Sequence, residues 1–344
     1  MPNTAPRTRA VITWLDATVA AVALAVVVGG ITRLTESGLS ITVWNPVSGV
    51  LPPLSAADWG AAFQSYLQIP QAQTVHRGIT LGAFKALFWW EWVHRLIARL
   101  VGLVIAVPYF WFLARRQLPA IYRIRLAALP LLVAAQGVLG WYMVASGLSV
   151  RTNVSQYRLV AHLGLALVIL VVALWSSASL RAARDGAAPP RDTGGWARIA
   201  DAFALWTFGV ILTGGFVAGL RAGTIYNTFP LMGGQIVPPG YWLPVGFLTN
   251  AFENPVAAQF HHRVLALMTV CAAFALWLAA RAKNAPSLVV KAQRNVALVA
   301  SVQVGLGIAT LLLSVPVAIA ALHQLSAVVL LGAVVLAAHA ARRS

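Results

Sequence analysis

Eight separate runs of roughly 20 apolar residues, near 11–31, 86–113, 126–146, 157–180, 200–220, 257–280, 295–315 and 317–340, restrict how this chain can fold more than any other feature. As a helix rising about 1.5 Å per residue, each run can cross the hydrocarbon layer of a bilayer. No water satisfies peptide groups there, so a spanning segment must close its own hydrogen bonds, and runs of this length do so as α-helices. With 60% hydrophobic and 10% charged residues among 344, the composition excludes a soluble domain. The expected fold is an all-α integral membrane protein with eight transmembrane helices. The second run is long enough to begin outside the hydrocarbon.

The chain carries 25 Lys and Arg against 8 Asp and Glu, a formal charge of +17, which alone would suggest a nucleic-acid partner. The placement of the charges argues otherwise. Sixteen basic residues lie at the termini and in alternate inter-helix segments: Arg7 and Arg9, Arg115 to Arg125, Arg181 to Arg198, Arg281 to Arg294, and Arg342 with Arg343. The opposite segments hold only Arg33, Arg77, Lys85, Arg151, Arg158 and Arg221. This asymmetry orients helices on insertion with the basic segments cytoplasmic, so both termini are expected in the cytoplasm. The basic excess thus reports orientation; membrane lipid, and no nucleic acid, is the expected surrounding. The first run follows two arginines as a signal peptide would. It continues past Ala23-Leu24-Ala25 to Ile31, so a retained helix in a bacterial inner membrane is expected. Cys271, the lone cysteine, falls in the sixth run and reads as a small buried apolar residue, and no disulfide within the chain or cysteine metal cluster can form.

The runs form a duplication. Glu91-Trp92-Val93-His94-Arg95 returns 168 positions later as Gln259-Phe260-His261-His262-Arg263, and each copy is followed by one further histidine in an apolar run, His162 and His323. Gly29-Gly30 in the first run corresponds to Gly214-Gly215 in the fifth, and Pro52-Pro53 in the following loop to Pro238-Pro239. Gln136-Gly137-Val138-Leu139-Gly140 is echoed by Gln303-Val304-Gly305-Leu306-Gly307. The correspondences keep one order through four helices, so the expected architecture is two tandem pseudo-symmetric four-helix bundles, residues 1–180 and 199–344, joined by a cytoplasmic linker at 181–198. Four is even, so both repeats enter from the same side as parallel repeats.

Ionisable groups inside a membrane are costly and mark function by default. His94, His162, His262 and His323 all lie near the outer, periplasmic entrance of their helices, at one expected depth, one pair per half. Within a half they sit on the second and fourth helices, which can be neighbours in a bundle, and that arrangement suits a haem with an imidazole on each face of its iron. Interhelical hydrogen bonding by each histidine is the plain alternative. A zinc or di-iron site is disfavoured because only Glu91 among carboxylates lies in a membrane helix near a repeated histidine. Glu91 shares a helix face with His94 where the second half has Gln259, so the first half reads as reactive and the second as a fixed redox centre. An ion pair of Glu91 with Arg95 or Arg99 is the competing reading. Arg95 and Arg263 are candidates for haem propionates, with snorkelling to the interface as their alternative. His76, in an outer loop, and His339, near the cytoplasmic end, are given no role.

The segment Gly29 to Ser40 (GGITRLTESGLS), with Trp44-Asn45-Pro46 and Leu51-Pro52-Pro53, resembles the first outer loop of the haem A synthases in their proteobacterial and mitochondrial branch. Phe84-Lys85 with Phe88 to Arg95, and Gly219 to Gly223 with Tyr226 to Met232, resemble that family's second helix and third outer loop. The resemblance implies oxidation of the C8 methyl group of haem O to a formyl group by successive hydroxylations with water-derived oxygen, for cytochrome c oxidase biogenesis. It further implies that His94 and His162 engage the substrate haem O, that Glu91 serves the chemistry, and that His262 and His323 ligate a cofactor haem b. Partners implied are a haem O synthase, cytochrome c oxidase assembly factors and an electron-transfer partner of unknown identity; a homo-oligomer is left open. The first outer loop lacks the cysteine pair of many Gram-positive members, and Ala83 stands where an acidic residue is expected. A di-haem cytochrome b that passes electrons without chemistry is the alternative, and haem transport a third.

Overall fold

Each apolar run becomes a helix longer than its apolar centre, because the polar flanks continue the backbone ladder into the interface. The computed structural model of the chain describes residues 5–118, 120–149, 151–187 and 195–343. Among the described residues, eight helices are long and apolar enough to cross a membrane. They are α1 (Ala5–Leu34), α4 (Leu81–Ala114), α5 (Arg123–Ala145), α6 (Gln156–Arg184), α7 (Gly195–Gly219), α9 (Pro255–Ala282), α10 (Ser287–Leu312) and α11 (Val317–Ala341). Three shorter helices lie in the loops: α2 (Ala56–Leu67), α3 (Pro70–Thr74) and α8 (Phe247–Glu253). No strand occurs among the described residues. Residues 188–194, which include Arg191 and Pro189-Pro190 of the expected linker, lie outside the described residues; α6 runs into that linker as far as Arg184, and α7 begins at Gly195.

Local signals account for the helix starts. Thr80 caps α4 by accepting from the Ala83 amide, and Asn254 caps α9 by accepting from the Val256 amide, with Pro255 at the first helical position. A reciprocal Ser55–Asp58 capping box starts α2. The seventh spanning helix ends at Leu312 rather than near 315, because Ser314 and Val315 turn the chain with φ of 60° and 63°.

The helices close two rings. In the first, α1 packs on α4, α4 on α5, α5 on α6 and α6 back on α1; in the second the same circuit runs through α7, α9, α10 and α11. The rings meet where α1 and α6 face α11, and where α6 faces α7. Accordingly α1, α6 and α11 are the most buried spans, with 44, 39 and 44% of their most apolar windows inside the protein, against 6% for α5. One continuous apolar core, including Leu15, Ile105, Leu167, Leu170, Leu331 and Val335, runs through both rings. At the basic end, the Asp16–Arg181 and Asp201–Arg342 ion pairs each join the first helix of a ring to its last. At the other end the first long loop folds over α4, with Leu39, Tyr66, Ile69, Phe84 and Phe88 forming a separate cluster. That cluster lowers residues 40–44 onto the ring. Cys271, expected to be buried, is instead exposed on the outer face of α9, the face a membrane would cover.

Candidate functional site

His162, His262 and His323 lie 6, 7 and 6 residues into their helices, about 9–10 Å below the loop-rich end. His94 is 13 residues into α4, whose first two turns belong to the loop cluster rather than to the ring. His94 on α4 and His162 on α6 stand across the first ring from each other, as do His262 on α9 and His323 on α11 across the second. Pairing therefore follows the halves. His261, adjacent to His262, turns to the loop instead, with its Nε2 2.9 Å from the Tyr241 hydroxyl. His339 lies apart from all four, 3.3 Å from the Ser179 hydroxyl and edge-on to Trp175.

The two pairs differ in what holds their Nδ1 atoms. His262 Nδ1 lies 2.9 Å from Thr213 Oγ1, and the Thr213 hydroxyl gives its one proton to the Val210 carbonyl at 2.7 Å. The threonine oxygen must then accept, so His262 carries its proton on Nδ1 and its lone pair on Nε2. His323 Nδ1 donates to the Gln303 carbonyl at 3.2 Å, which assigns the same tautomer. In the first half, His94 Nδ1 and His162 Nδ1 are buried without a partner. Gly29 corresponds to Gly214, so the repeat-equivalent of Thr213 is Val28, a side chain with no hydrogen bond to offer. The Gln136 amide donates to the His162 carbonyl at 2.9 Å and reaches within 3.4 Å of its ring.

Glu91 is buried and accepts four hydrogen bonds. Oε2 takes the Ser40 hydroxyl at 2.8 Å and the Ile41 amide at 2.7 Å, while Oε1 takes Arg95 Nε at 3.0 Å and Nη2 at 2.6 Å. Arg95 also donates to the Ile41 and Val43 carbonyls at 2.7 and 3.1 Å. Arg99, one turn on, holds the Asn45 and Pro46 carbonyls at 2.8 and 2.9 Å. The second half repeats the clamp: Arg263 donates to the Tyr226 carbonyl and, at 2.7 Å, to that of Thr228. Gln259 Nε2 donates to the Tyr226 carbonyl at 3.1 Å, leaving its own Oε1 buried without a partner. Thus Glu91 is ion-paired to Arg95, and both arginines read from the sequence as propionate partners hold loop carbonyls. Beside Arg95, a small recess lined by Ile41, Val43, Trp44, Trp141 and Leu148 opens at the loop end of the first ring.

Comparison with known proteins adds the decisive observation. The family model for cytochrome oxidase assembly protein matches residues 12–335. The chain is 44% identical to the haem A synthase of Maricaulis maris over 99% of both chains. It is 45% identical to that of Rhodospirillum centenum over 97% of this chain and 89% of the relative, and 44% identical to that of Rhizobium meliloti over 93% and 86%. The chain belongs to the haem A synthase family.

For a haem A synthase family member the donor set can be tested against the group it implies. Among the described residues no three His, Cys, Asp or Glu side chains converge, so the imidazoles come as pairs. Two nitrogen donors suit an iron porphyrin, whose macrocycle supplies the remaining ligands, and do not suit a metal held wholly by protein. Both second-half tautomers leave Nε2 free to ligate. The buried, unpartnered Nδ1 atoms of His94 and His162 are out of place in a closed apolar core. Thr213 escaped the sequence reading, and the Thr213–Val28 mismatch beside the repeated glycines was the one signal for it; Gln303 stood in the glutamine–glycine repeat, but nothing there marked its carbonyl as a partner of His323.

Proposed function

We propose that this chain is an integral-membrane oxidoreductase converting haem O to haem A. In this reading the half formed by residues 1–180 takes haem O between His94 and His162, and the half formed by residues 199–344 keeps a haem b between His262 and His323. The observation that carries the assignment of halves is the difference at Nδ1. His262 and His323 each have an acceptor that fixes the tautomer and raises the basicity of the ligating nitrogen, as a permanent ligand requires. His94 and His162 lack one, which suits a substrate that must bind and leave.

In each of two successive hydroxylations the C8 methyl carbon exchanges a hydrogen for a hydroxyl taken from water, giving up two electrons and two protons, and the twice-hydroxylated carbon then loses water to become the formyl group. When bound, haem b supplies a one-electron relay toward an external acceptor. Glu91 contributes a buried negative charge held by four donors, and its link to Ser40 offers a proton acceptor on the His94 face of α4. Arg95 and Arg263 hold the loops over the two sites through these carbonyls.

The basic residues clustered at one end support an inner-membrane location with both termini cytoplasmic and the histidines toward the periplasm. A haem O synthase supplies the substrate, and the cytochrome c oxidase assembly machinery receives the product.

Co-expression with a haem O synthase followed by extraction of non-covalent haems tests the reading. Haem A, or its hydroxymethyl precursor, is expected. Two identical, unmodified haems would instead indicate a di-haem electron carrier, and haem O that exchanges unchanged would indicate a carrier of haem.

A further inference from the structure

Each of the four histidines presses one edge of its ring against a glycine on the preceding spanning helix. A Cβ added to Gly29 of α1 would lie 2.8 Å from His94 Cε1; on Gly140 of α5, 2.9 Å from His162 Cε1; on Gly214 of α7, 3.0 Å from His262 Cε1; and on Gly307 of α10, 2.9 Å from His323 Cε1. The nearest atom is Cε1 in all four cases, and the two ring nitrogens follow at 3.4–3.7 Å. Ordinary contacts begin at about 3.4 Å, so no other residue leaves the ring where it is. Glycine inside a helix is disfavoured relative to alanine, so four such positions need a reason.

Plain helix packing does not supply it. Gly137 and Gly305 lie on the same helices as Gly140 and Gly307, and a Cβ on either would meet nothing within 4 Å. The glycines that follow Gly29 and Gly214 serve other neighbours: Gly30 faces Gln324, and Gly215 faces Val160 and Leu163. In both repeats the first glycine of the pair admits its own half's imidazole and the second admits a helix of the other half.

We propose that Gly29, Gly140, Gly214 and Gly307 are positioning residues that set the ring plane of each histidine, so that the orientation of the axial imidazoles is dictated by the missing methyl group on the adjacent helix. The proposal rests on the reading of these histidines as haem ligands. Wedged at Cε1, a ring can neither tilt toward the neighbouring helix nor rotate freely about its Cβ–Cγ bond. In the second half the Nδ1 hydrogen bonds then fix which nitrogen faces the iron.

The test uses the full chain, purified with its bound haem, in a double-mutant cycle. Gly214→Ala is expected to shift the low-spin electron paramagnetic resonance signal and the midpoint potential of haem b, or to lower its occupancy several-fold, while Gly305→Ala leaves all three unchanged. Gly29→Ala and Gly140→Ala are expected to leave the haem b signal intact and to reduce haem O retention. Should Gly214→Ala accumulate poorly, thermal stability decides: with His262→Ala already present, adding Gly214→Ala should produce no further loss. An equal loss with and without the imidazole, or a wild-type resonance signal and potential in Gly214→Ala, overturns the proposal while leaving ligation intact. A wild-type haem b spectrum in His262→Leu overturns the ligand reading itself.

Discussion

Glu91 and Thr213 mark the two halves as different at the level of single atoms. Replacing Glu91 with glutamine keeps the shape but removes the charge that gathers Arg95, Ser40 and Ile41, and it places an amide group where donors converge. Glu91→Gln is expected to lose about 1–3 kcal/mol of stability and to suppress haem A formation while the haem b spectrum persists; unchanged turnover would remove Glu91 from the chemistry. Thr213→Val strips the acceptor from His262 Nδ1 and leaves a buried donor unpaired. Haem b affinity should fall about 10–100-fold, with a higher midpoint potential because the imidazole donates less to ferric iron. Titration with haem and potentiometry check both, and a wild-type potential would deny Thr213 its role. Neither effect should reach the first half, whose equivalent residue is Val28.

At the scale of elements, the join between the rings is built on the second glycines. Gln324 of α11 donates to the Val26 carbonyl of α1 at 2.8 Å, and its amide occupies the space a side chain at position 30 would need, only 1.5 Å from a Cβ there. Gly30→Ala should therefore disturb the α1–α11 seam, costing about 1–3 kcal/mol, and Gln324→Ala in the same chain should recover most of it; a thermal melt in detergent reads both, and no recovery would place the strain elsewhere. The spanning helices were readable as apolar runs because bilayer thickness sets their length. The 12-residue α2 was not, since its apolar residues are broken by Asp58 and by Gln64-Ser65 and make no run of spanning length. Its existence depends on Tyr66 and the neighbouring Phe63 packing against Phe84.

Across the whole molecule, the loop-rich end carries a polar network that ties the halves together. Glu36 pairs with Arg221 at 2.8 Å, Arg33 donates to the Gly219 carbonyl at 3.2 Å, and Arg221 donates to Asn153 at 2.7 Å. His76 joins it, with Nδ1 2.5 Å from the Tyr66 hydroxyl and Nε2 3.7 Å from Glu36. Burial pushes the His76 imidazole below its ordinary 6.5; the Glu36 carboxylate partly offsets this and Arg221 adds to it. The folded protein thus binds the proton less readily than the unfolded chain. Its contribution to stability is present above pH 6.5 and lost as pH falls toward the depressed value. Hydrogen exchange in residues 66–80 should accelerate as pH is lowered from 7 to 5, after correction for intrinsic rates, and His76→Gln should flatten that dependence; a dependence unaltered by the substitution would place the titrating group elsewhere.

The sequence alone determined the class, the eight crossings, the order of the two repeats and the four histidines, one pair to each half. These are properties a chain expresses against a slab of hydrocarbon, through the length of an apolar run, and they need no knowledge of which helix touches which. Only the tertiary structure decided what surrounds each ring. Whether an imidazole meets a glycine, a threonine hydroxyl or a bare backbone depends on how two helices are rotated about their axes. Glu91 is likewise clamped by residues some 50 positions away, brought over it by a loop cluster anchored on Phe84 and Phe88. The pairing of Arg95 and Arg263 with loop carbonyls follows from the same cause, because a guanidinium near the interface takes whichever acceptors the folded loop lowers onto it.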